Sequence, residues 1–435
     1  MKKWNQITDR FTFDEQIVLG LVLSIFISTY LTVAAIVAII GYLIWQDRLR
    51  TIVESVDGAY YLFAFCLVSL AVSLMNENLQ GVLIAFAMSA LFIISLFIRT
   101  VMSQKLFEKV IDLSCAASPF SLIIIVYQLL TTTGSVEFRA SSIFLNANYY
   151  ATITELVVLF CMYKMIQPQQ KQRKHFLMII FLNLSGLYLS NCRTAVIALS
   201  IAILVILILN KRFEVLGITL AFDALMVFVI SLMPQSLLRI DQTGTDFVSR
   251  FSIWQTAVKG ILHHPFFGQG ARTYEMIYAQ YGGPATVHAH SLFLDPLLNF
   301  GIVGMTFLAI YYGKNLKSIF KMHTHQDDRQ RLFLVIAIML SIMIHGITDI
   351  TIFSVQTGLL LSILLAAAGI YENQPKIRIL THSGDTWPGK LVHIPDVNPL
   401  AKSRPLLSRR PLEQSFTIAS LSESRNRYII KPKHK

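Results

Sequence analysis

Three basic side chains stand where the sequence could support chemistry on an anion: Arg193, Arg250 and His290. Arg193 lies in a short turn between two apolar runs, so it should face water or an anion, or else reach lipid phosphate. Arg250 can hold phosphate oxygens through two parallel hydrogen bonds, unless it pairs with Asp246 one helical turn away. His290 can accept a proton from a hydroxyl group, unless it only caps the next helix.

A second pair of ionisable residues, His345 and Asp349, is spaced four residues apart in an apolar run at 332–353. This spacing predicts that both lie on one face of a helix, towards its outer end. Ionisable groups inside a membrane span are candidates for function. The alternative is that the pair only holds two helices together.

The histidines do not have the spacing of a metal-binding helix. His288 and His290 are two residues apart, and His263 and His264 are adjacent. The carboxylates of the predicted outer segments are also scattered, with no Asp-x-Asp pair that could hold magnesium against a pyrophosphate. We therefore predict no metal site, and arginine would have to balance the charge of a phosphorylated substrate.

The composition identifies the setting of these residues. Of 435 residues, 54% are hydrophobic and only 14% are charged, and the mean hydropathy is +0.58. These values exclude secreted, fibrous and disordered classes and indicate an integral membrane protein. All four cysteines lie in or beside apolar runs without the spacing of a metal site, and are predicted to be packing residues: Cys66, Cys115, Cys161 and Cys192.

The elements that must position the site are membrane helices. Apolar runs occur at 58–75, 79–98, 110–130, 149–165, 176–189, 194–209, 215–233, 291–312, 332–353 and 357–371. Residues 11–45 can form a tight hairpin of two further spans that turns near 28–32. The predicted fold is an all-α, polytopic transmembrane bundle of about 12 spans over residues 1–371.

Positive charge gives the orientation, because short cytoplasmic loops retain Lys and Arg. One set of alternating connections contains 16 of these residues and the other contains 6, so the first set is assigned to the cytoplasm. The segment 233–290, between the ninth and tenth spans, is then a large extracytoplasmic loop. Its helical periodicity predicts an amphipathic helix along the outer membrane surface, anchored by Trp254, and a short second helix at 273–280.

Much of the formal net charge of +12 lies in the final segment. Residues 372–435 have twelve Lys or Arg against five Asp or Glu, and contain seven of the 13 prolines. This composition predicts a disordered, basic, Pro-rich cytoplasmic tail. A basic charge in a tail does not indicate a nucleic-acid partner.

Several short motifs together resemble the signature region of the O-antigen ligase and polysaccharide polymerase superfamily. They are Ser249-Arg250, Trp254, Pro265-Phe266-Phe267-Gly268-Gln269-Gly270, His290-Ser291-Leu292-Phe293-Leu294 and Asn299-Phe300-Gly301-Ile302-Val303-Gly304, with Leu145 to Ala151 and the Arg193 turn upstream. Two positions depart from the family pattern: Ser291, where Asn is usual, and Cys192, where a small hydroxylated residue is usual.

The resemblance implies a metal-independent glycosyltransferase of the cytoplasmic (inner) membrane, active on its extracytoplasmic face in surface polysaccharide biosynthesis. The implied donor is a polyprenyl-pyrophosphate-linked oligosaccharide, such as one on undecaprenyl pyrophosphate, and no cofactor is expected. Other implied partners are a glycan or lipid-linked glycan acceptor, membrane lipid and other polysaccharide-assembly proteins. The implied catalytic residues are His290, Arg250 and Arg193, and the candidate substrate-binding residues are Arg193, Arg250, His288, Asn148, His345 and Asp349.

Two questions stay open at this level. Ligase and polymerase differ in their acceptor, and the motif spacing does not separate them. A transporter or flippase of lipid-linked sugars would also need many spans and basic residues. It would, however, place its polar groups near the middle of the bilayer and show internal repeats, whereas these basic groups gather on one side.

Overall fold

The computed structural model describes residues 11–131, 138–167, 170–232, 243–321 and 328–372, and all regular structure in these ranges is helical. The first helices are α1 (Phe13–Ile25), α2 (Thr29–Trp45), α3 (Leu49–Ser55), α4 (Ala59–Met75), α5 (Leu79–Val101), α6 (Gln104–Ala117) and α7 (Phe120–Thr131). The central ones are α8 (Ala147–Ile166), α9 (Arg173–Ser190), α10 (Arg193–Leu209) and α11 (Phe213–Leu232). The last are α12 (Thr243–His263), α13 (Thr273–Ile277), α14 (Leu294–Phe320), α15 (Arg329–His345), α16 (Val355–Leu365) and α17 (Gly369–Glu372), with short 3₁₀ helices at Thr351–Phe353 and Ala366–Ala368.

Within these residues, four helical segments are long and apolar enough to cross a membrane, or five if the bent pair α2 and α3 forms one span. They are Leu79–Val101, Gln104–Thr131, Ala147–Ile166 and Leu294–Phe320. The chain is thus a helical membrane protein, and the count of 12 spans stays a prediction. The expected hairpin near the start is present as two packed helices, α1 and α2, which are connected by residues 26–28.

Helix α8 forms the centre of the molecule. Almost all of its side chains are buried, and it packs against α9, α10 and α15. A helix that is buried on every side has no polar face to show to water. Its polar residues must therefore find partners inside the protein, and these partners build the site described below.

Three predicted spans contain an interruption, and two of the interruptions occur at a proline or a glycine. The run at 110–130 divides into α6 and α7 around Pro119, which has no backbone N–H to donate within a helix. The run at 291–312 contains a kink at Gly301, where φ is 60° and ψ is −172°. The run at 357–371 changes from α-helix to a 3₁₀ turn after Leu365.

The prediction of one helix over 332–353 is wrong. Helix α15 ends at His345, with Gly346 as its C-terminal cap, and a non-helical turn leads to Asp349. His345 and Asp349 therefore do not share a helix face. Each has its own partner on another element.

The amphipathic helix predicted in the segment 233–290 is present as α12, and the short second helix is α13, which ends at Ile277. Residues 233–242 of that segment lie outside the described residues. So does the basic tail, apart from Glu372, and so does the side chain of Asp246, the alternative partner of Arg250.

Candidate active site

His290 lies at the centre of a cluster of polar side chains just before α14. Its Nδ1 atom is 3.3 Å from Asp349 Oδ1, and its Nε2 atom is 3.2 Å from Thr286 Oγ1. The side chain is 26% exposed, so the ring has one side in the protein and one side open. With a proton on Nδ1 donated to the carboxylate, Nε2 has a free lone pair and can accept a proton from a substrate.

The backbone around His290 is held in an unusual conformation, with φ of 46°. Its carbonyl accepts a hydrogen bond of 3.3 Å from Trp254 Nε1 of α12, and the neighbouring Ala289 N–H donates at 2.7 Å to the buried Asp295. On the other side, Leu292 N–H donates to the Gly346 carbonyl at 2.7 Å. Three separate elements thus fix the direction of the imidazole.

Asp349 is the buried carboxylate behind His290. Besides the histidine contact, its Oδ2 accepts from the amide of Asn148, and its Oδ1 accepts from the Ile350 N–H at 2.8 Å. A carboxylate that orients an imidazole and fixes its tautomer is the arrangement used by many general bases. Asp349 was predicted as a site residue from the sequence, but its four-residue spacing pointed to His345 as its neighbour.

Asn148, in the first turn of α8, connects Asp349 to Arg139, which was not predicted as a site residue from the sequence. Arg139 Nη2 donates to Asn148 Oδ1 at 2.6 Å, and Arg139 Nε donates to the Ser190 carbonyl at 3.1 Å. Because Ser190 ends α9, this arginine ties the start of α8 to the turn that contains Arg193. Its place in a connection between two apolar runs, nine residues before Asn148, was the available signal.

Arg193 opens α10 and is half-buried. The turn before it is fixed by contacts with α15 and the residues that follow it. Cys192 Sγ lies 3.5 Å from His345 Nε2, and Thr348 Oγ1 donates to Thr194 Oγ1 at 3.0 Å. The same stretch, residues 345–349, therefore holds both the Arg193 turn and the His290 carboxylate.

His345 itself is buried and pairs with a carboxylate of α8. Its Nδ1 lies 2.6 Å from Glu155 Oε1 on α8, and Ser341 Oγ donates to Glu155 Oε2 at 2.5 Å. With side chains 1% exposed, both residues are shielded from solvent. Direct substrate binding by His345 stays a prediction, whereas its contacts give it a role behind the Arg193 turn.

Arg250 lies on α12 and is half-buried. Its Nη1 atom is buried and has no hydrogen-bond partner among the described residues. A buried guanidinium nitrogen without such a partner is costly unless an anion or water completes it. A second arginine of the segment 233–290, Arg272, was not predicted as a site residue and pairs with Glu275 at 2.6 Å.

His288 stacks beside His290, with ring centroids 4.1 Å apart, and its Nδ1 accepts from the His290 N–H at 3.3 Å. Burial, followed by the repulsion of His290, Arg250 and Arg272, lowers the pKa of His288 to about 4, although Asp349 opposes the shift. His288 is therefore neutral at physiological pH. The charges of Arg250 and Arg272 thus act on this histidine cluster.

Comparison with known proteins decides the family. Residues 176–309 match the family model described as O-antigen ligase. This match supports assignment of the matched segment to the O-antigen ligase-like superfamily. A search of curated proteins found no match.

The O-antigen ligase match includes Arg193, Arg250 and His290, the three residues selected first from the sequence. Asn148 and Asp349 lie outside the matched range, before and after it. The structure brings these two flanking residues to the histidine of the matched region. At family level the chain is a membrane enzyme of the O-antigen ligase or polymerase type.

The departures from the O-antigen ligase pattern are accommodated by local contacts. Ser291 Oγ accepts the N–H groups of Phe293 and Leu294 at 3.3 and 3.4 Å, which satisfies free donors at the start of α14. Cys192 uses its sulfur against His345. Both residues are buried, and neither contact involves the arginine or imidazole groups of the proposed chemistry.

One conclusion from spacing alone needs revision. His288, His290 and Asp349 each offer a ligand atom, and these atoms all lie within 4.8 Å of one another. The spacing of the histidines along the sequence does not reveal this grouping. The third ligand comes from a turn 59 residues further along the chain.

Proposed function

We propose that this protein transfers or polymerises an oligosaccharide from a polyprenyl-pyrophosphate donor on the outer face of the cytoplasmic membrane. The observation that carries the proposal is the His290–Asp349 contact on the same side of the molecule as the partly unsatisfied guanidinium of Arg250. A base and an anion-binding group are the two functions that such a transfer requires.

In the proposed step, His290 Nε2 removes the proton from an acceptor hydroxyl while that oxygen attacks the anomeric carbon of the donor sugar. The bond between this carbon and the pyrophosphate oxygen breaks, and the electron pair leaves with the polyprenyl pyrophosphate. Asp349 stabilises the imidazolium that forms. The proton on His290 is then lost to solvent or to the leaving group.

Arginine would stabilise the leaving group. Charge develops on the pyrophosphate oxygens as the bond breaks. Fixed cations in a site of low dielectric stabilise this charge in the transition state more than they stabilise the bound donor. We assign this role to Arg250 and Arg193. Asn148 and His288 would contact the same lipid-linked donor. On this proposal the reaction needs no metal ion and should continue in excess chelator.

The test is reconstitution of the purified protein in lipid vesicles with a defined lipid-linked oligosaccharide. We expect His290→Ala, Arg250→Ala and Arg193→Ala to abolish product formation while the protein stays in the membrane. Arg250→Lys should retain little activity, because a point charge does not reproduce the planar pair of donors. His264→Ala, at an exposed position in the same outer segment, is the matched control and should be active.

Binding of the lipid-linked donor distinguishes the role of His290 as a base from the role of Arg250 in holding the pyrophosphate. His290→Ala should still bind the lipid-linked donor, whereas Arg250→Ala should bind it more weakly. Normal glycan products from all three alanine variants would overturn the proposal, and movement of donor across the membrane without a new glycosidic bond would favour a flippase. A longer lipid-linked chain would identify a polymerase, and a new conjugate would identify a ligase.

A further inference from the structure

The cluster of His288, His290 and Asp349 has the composition of a transition-metal site. Two imidazole nitrogens and one carboxylate oxygen are ligands that suit Zn²⁺, which is bound by nitrogen, oxygen and sulfur donors in tetrahedral geometry. All three ligand atoms lie within 4.8 Å of one another. Asp349 and His290 are also held in place by neighbouring hydrogen bonds, so two of the three ligands are already oriented.

The distance between the ligand atoms of His290 and Asp349 fits a zinc ion. With metal–ligand distances of about 2.0–2.1 Å, two ligands of a tetrahedral zinc are about 3.3–3.4 Å apart. His290 Nδ1 and Asp349 Oδ1 are 3.3 Å apart. The ligand atom of His288 lies within 4.8 Å of both, and its ring meets that of His290 edge-on with centroids 4.1 Å apart.

We propose that His288, His290 and Asp349 form an inhibitory Zn²⁺ site. The ion would replace the proton between His290 Nδ1 and Asp349 Oδ1, and a fourth position would be open to water. The inhibitory effect rests on the proposed function, but binding of the metal does not.

The inhibition follows from the tautomer of His290. When Nδ1 binds zinc, the single proton of the neutral ring must sit on Nε2, where Thr286 Oγ1 can accept it at 3.2 Å. Coordination moves this proton from one nitrogen to the other, and no proton is released. Nε2 then has no lone pair for an acceptor hydroxyl, so the base is blocked as long as the metal is bound.

The surrounding charges oppose the ion without excluding it. Arg250 and Arg272 are close enough to affect His288 electrostatically, and two cations weaken the binding of a third. Only one of the three ligands carries negative charge. We therefore expect a reversible site, weaker than the structural zinc sites on which small domains depend for folding.

Cobalt(II) is the probe for direct binding, because it accepts the same ligands and its tetrahedral complexes absorb visible light. The full chain, purified in detergent without a polyhistidine tag and stripped with chelator, is titrated with Co²⁺ and then with Zn²⁺. We expect a saturable visible band that Zn²⁺ removes. His288→Gln and Asp349→Asn should each raise the Kd at least about tenfold.

The matched controls are His263→Gln and His264→Gln, two exposed histidines of the same outer segment, which should retain the wild-type Kd. An unchanged Kd in both His288→Gln and Asp349→Asn would overturn the site. Loss of the band in His264→Gln would also overturn it, because the metal would then be held elsewhere.

A second measurement tests the regulation. Zn²⁺ should inhibit glycan transfer with an inhibition constant equal to the Kd for zinc, and excess chelator should restore the full rate. Transfer that continues with the site saturated would overturn the inhibitory role. If the chain has no transferase activity under any condition, the proposed function fails, while the cobalt titration still decides whether the metal site exists.

Discussion

At the scale of single residues, the decisive group is the carboxylate of Asp349, because it determines which nitrogen of His290 carries the proton. When Nδ1 donates to this carboxylate, Nε2 is left with a lone pair and is an acceptor. An asparagine at this position could offer its N–H₂ to the ring and favour the wrong tautomer. The role of His290 as a base therefore depends on a residue that does not touch the substrate.

We predict that Asp349→Asn lowers kcat by about 10²- to 10⁴-fold, the usual contribution of a general base, while KM for the donor changes little. Steady-state transfer assays in vesicles measure both constants. Asp57→Asn, which alters an acid paired with Lys314 on another part of the molecule, is the control for general charge effects. An unchanged kcat in a correctly folded Asp349→Asn protein would contradict the role.

His288 should make the stability of the protein sensitive to acid. The pKa of His288 is lowered by burial from 6.5 to about 4 in the folded protein, so the unfolded chain takes up its proton at a higher pH. We predict that this residue contributes no pH dependence above pH 6.5, and that stability falls as pH decreases from 6.5 to about 4. Thermal unfolding in detergent across this range measures the effect.

The comparison variant for this prediction is His288→Gln, which has no group that titrates in the range. The fall in melting temperature should be smaller in this variant than in the wild type. His264→Gln, at an exposed histidine, should retain the wild-type slope. Equal slopes in wild type and His288→Gln would show that His288 does not carry the effect.

The sequence predicted residue types more successfully than residue partners. Arg250 and His290 stand out because charged groups near a membrane surface need a reason to be there. The pairing of Asp349 with His290 joins two segments distant in sequence, and a four-residue spacing pointed to His345 instead. Glu155, the actual partner of His345, lies within the apolar run at 149–165, where an ionisable group is itself a signal. Its pairing with His345 depends on the packing of α8 against α15.

At the scale of elements, the Pro265–Gly270 motif acts as a clamp on the kink of α14. The N–H groups of Ile302 and Val303 donate to the carbonyls of Pro265 and Phe266, both at 2.9 Å. These N–H groups are free because the kink at Gly301 interrupts the helix. The clamp fixes α14 relative to α12. In the sequence, α12 precedes His290 and α14 follows it.

We predict that Gly301→Ala destabilises the protein and reduces transfer. A Cβ atom at this position would lie 2.4 Å from the Phe266 backbone, and the φ and ψ of Gly301 are nearly restricted to glycine, at a cost of about 1–3 kcal/mol for other residues. The melting temperature in detergent and the transfer rate measure the two effects.

Gly313→Ala is the matched control on the same helix. A Cβ atom at Gly313 meets nothing within 4 Å, so alanine should be neutral or stabilise the helix by up to about 1 kcal/mol. The kink hypothesis predicts opposite directions for the two variants. A Gly301→Ala protein as stable and active as the Gly313→Ala protein would remove the proposed role of the kink.

Elements with one strong pattern were predicted well, and interruptions were not. Helix α12 was evident from the periodic spacing of its apolar residues, and α4 and α5 from the length of their apolar runs. The break at Pro119 could have been predicted from the missing N–H of proline. The end of α15 at His345 also had a signal in Gly346, which caps the helix, although apolar residues continue through 347–353.

At the scale of the whole molecule, the two ends of α8 have different chemistry. Its first turn contains Asn148 of the candidate site, and its last turn contains Lys164, which pairs with Glu108 and Asp112 at 2.8 Å. These ends are about 24 Å apart along the helix axis. The distance supports the prediction from charge that the site and the basic connections face opposite sides of the membrane.

Cysteine labelling tests this orientation directly. All four native cysteines are buried, so the wild-type protein should react little with a thiol reagent that does not cross membranes. We predict that Ala285→Cys, at an exposed position beside the site, is labelled in intact cells. Lys174→Cys, exposed in the first turn of α9 and about 24 Å along that helix from Ser190, should be labelled only after the membrane is opened. The reverse pattern would place the site on the cytoplasmic face, where the proposed extracytoplasmic transfer does not occur.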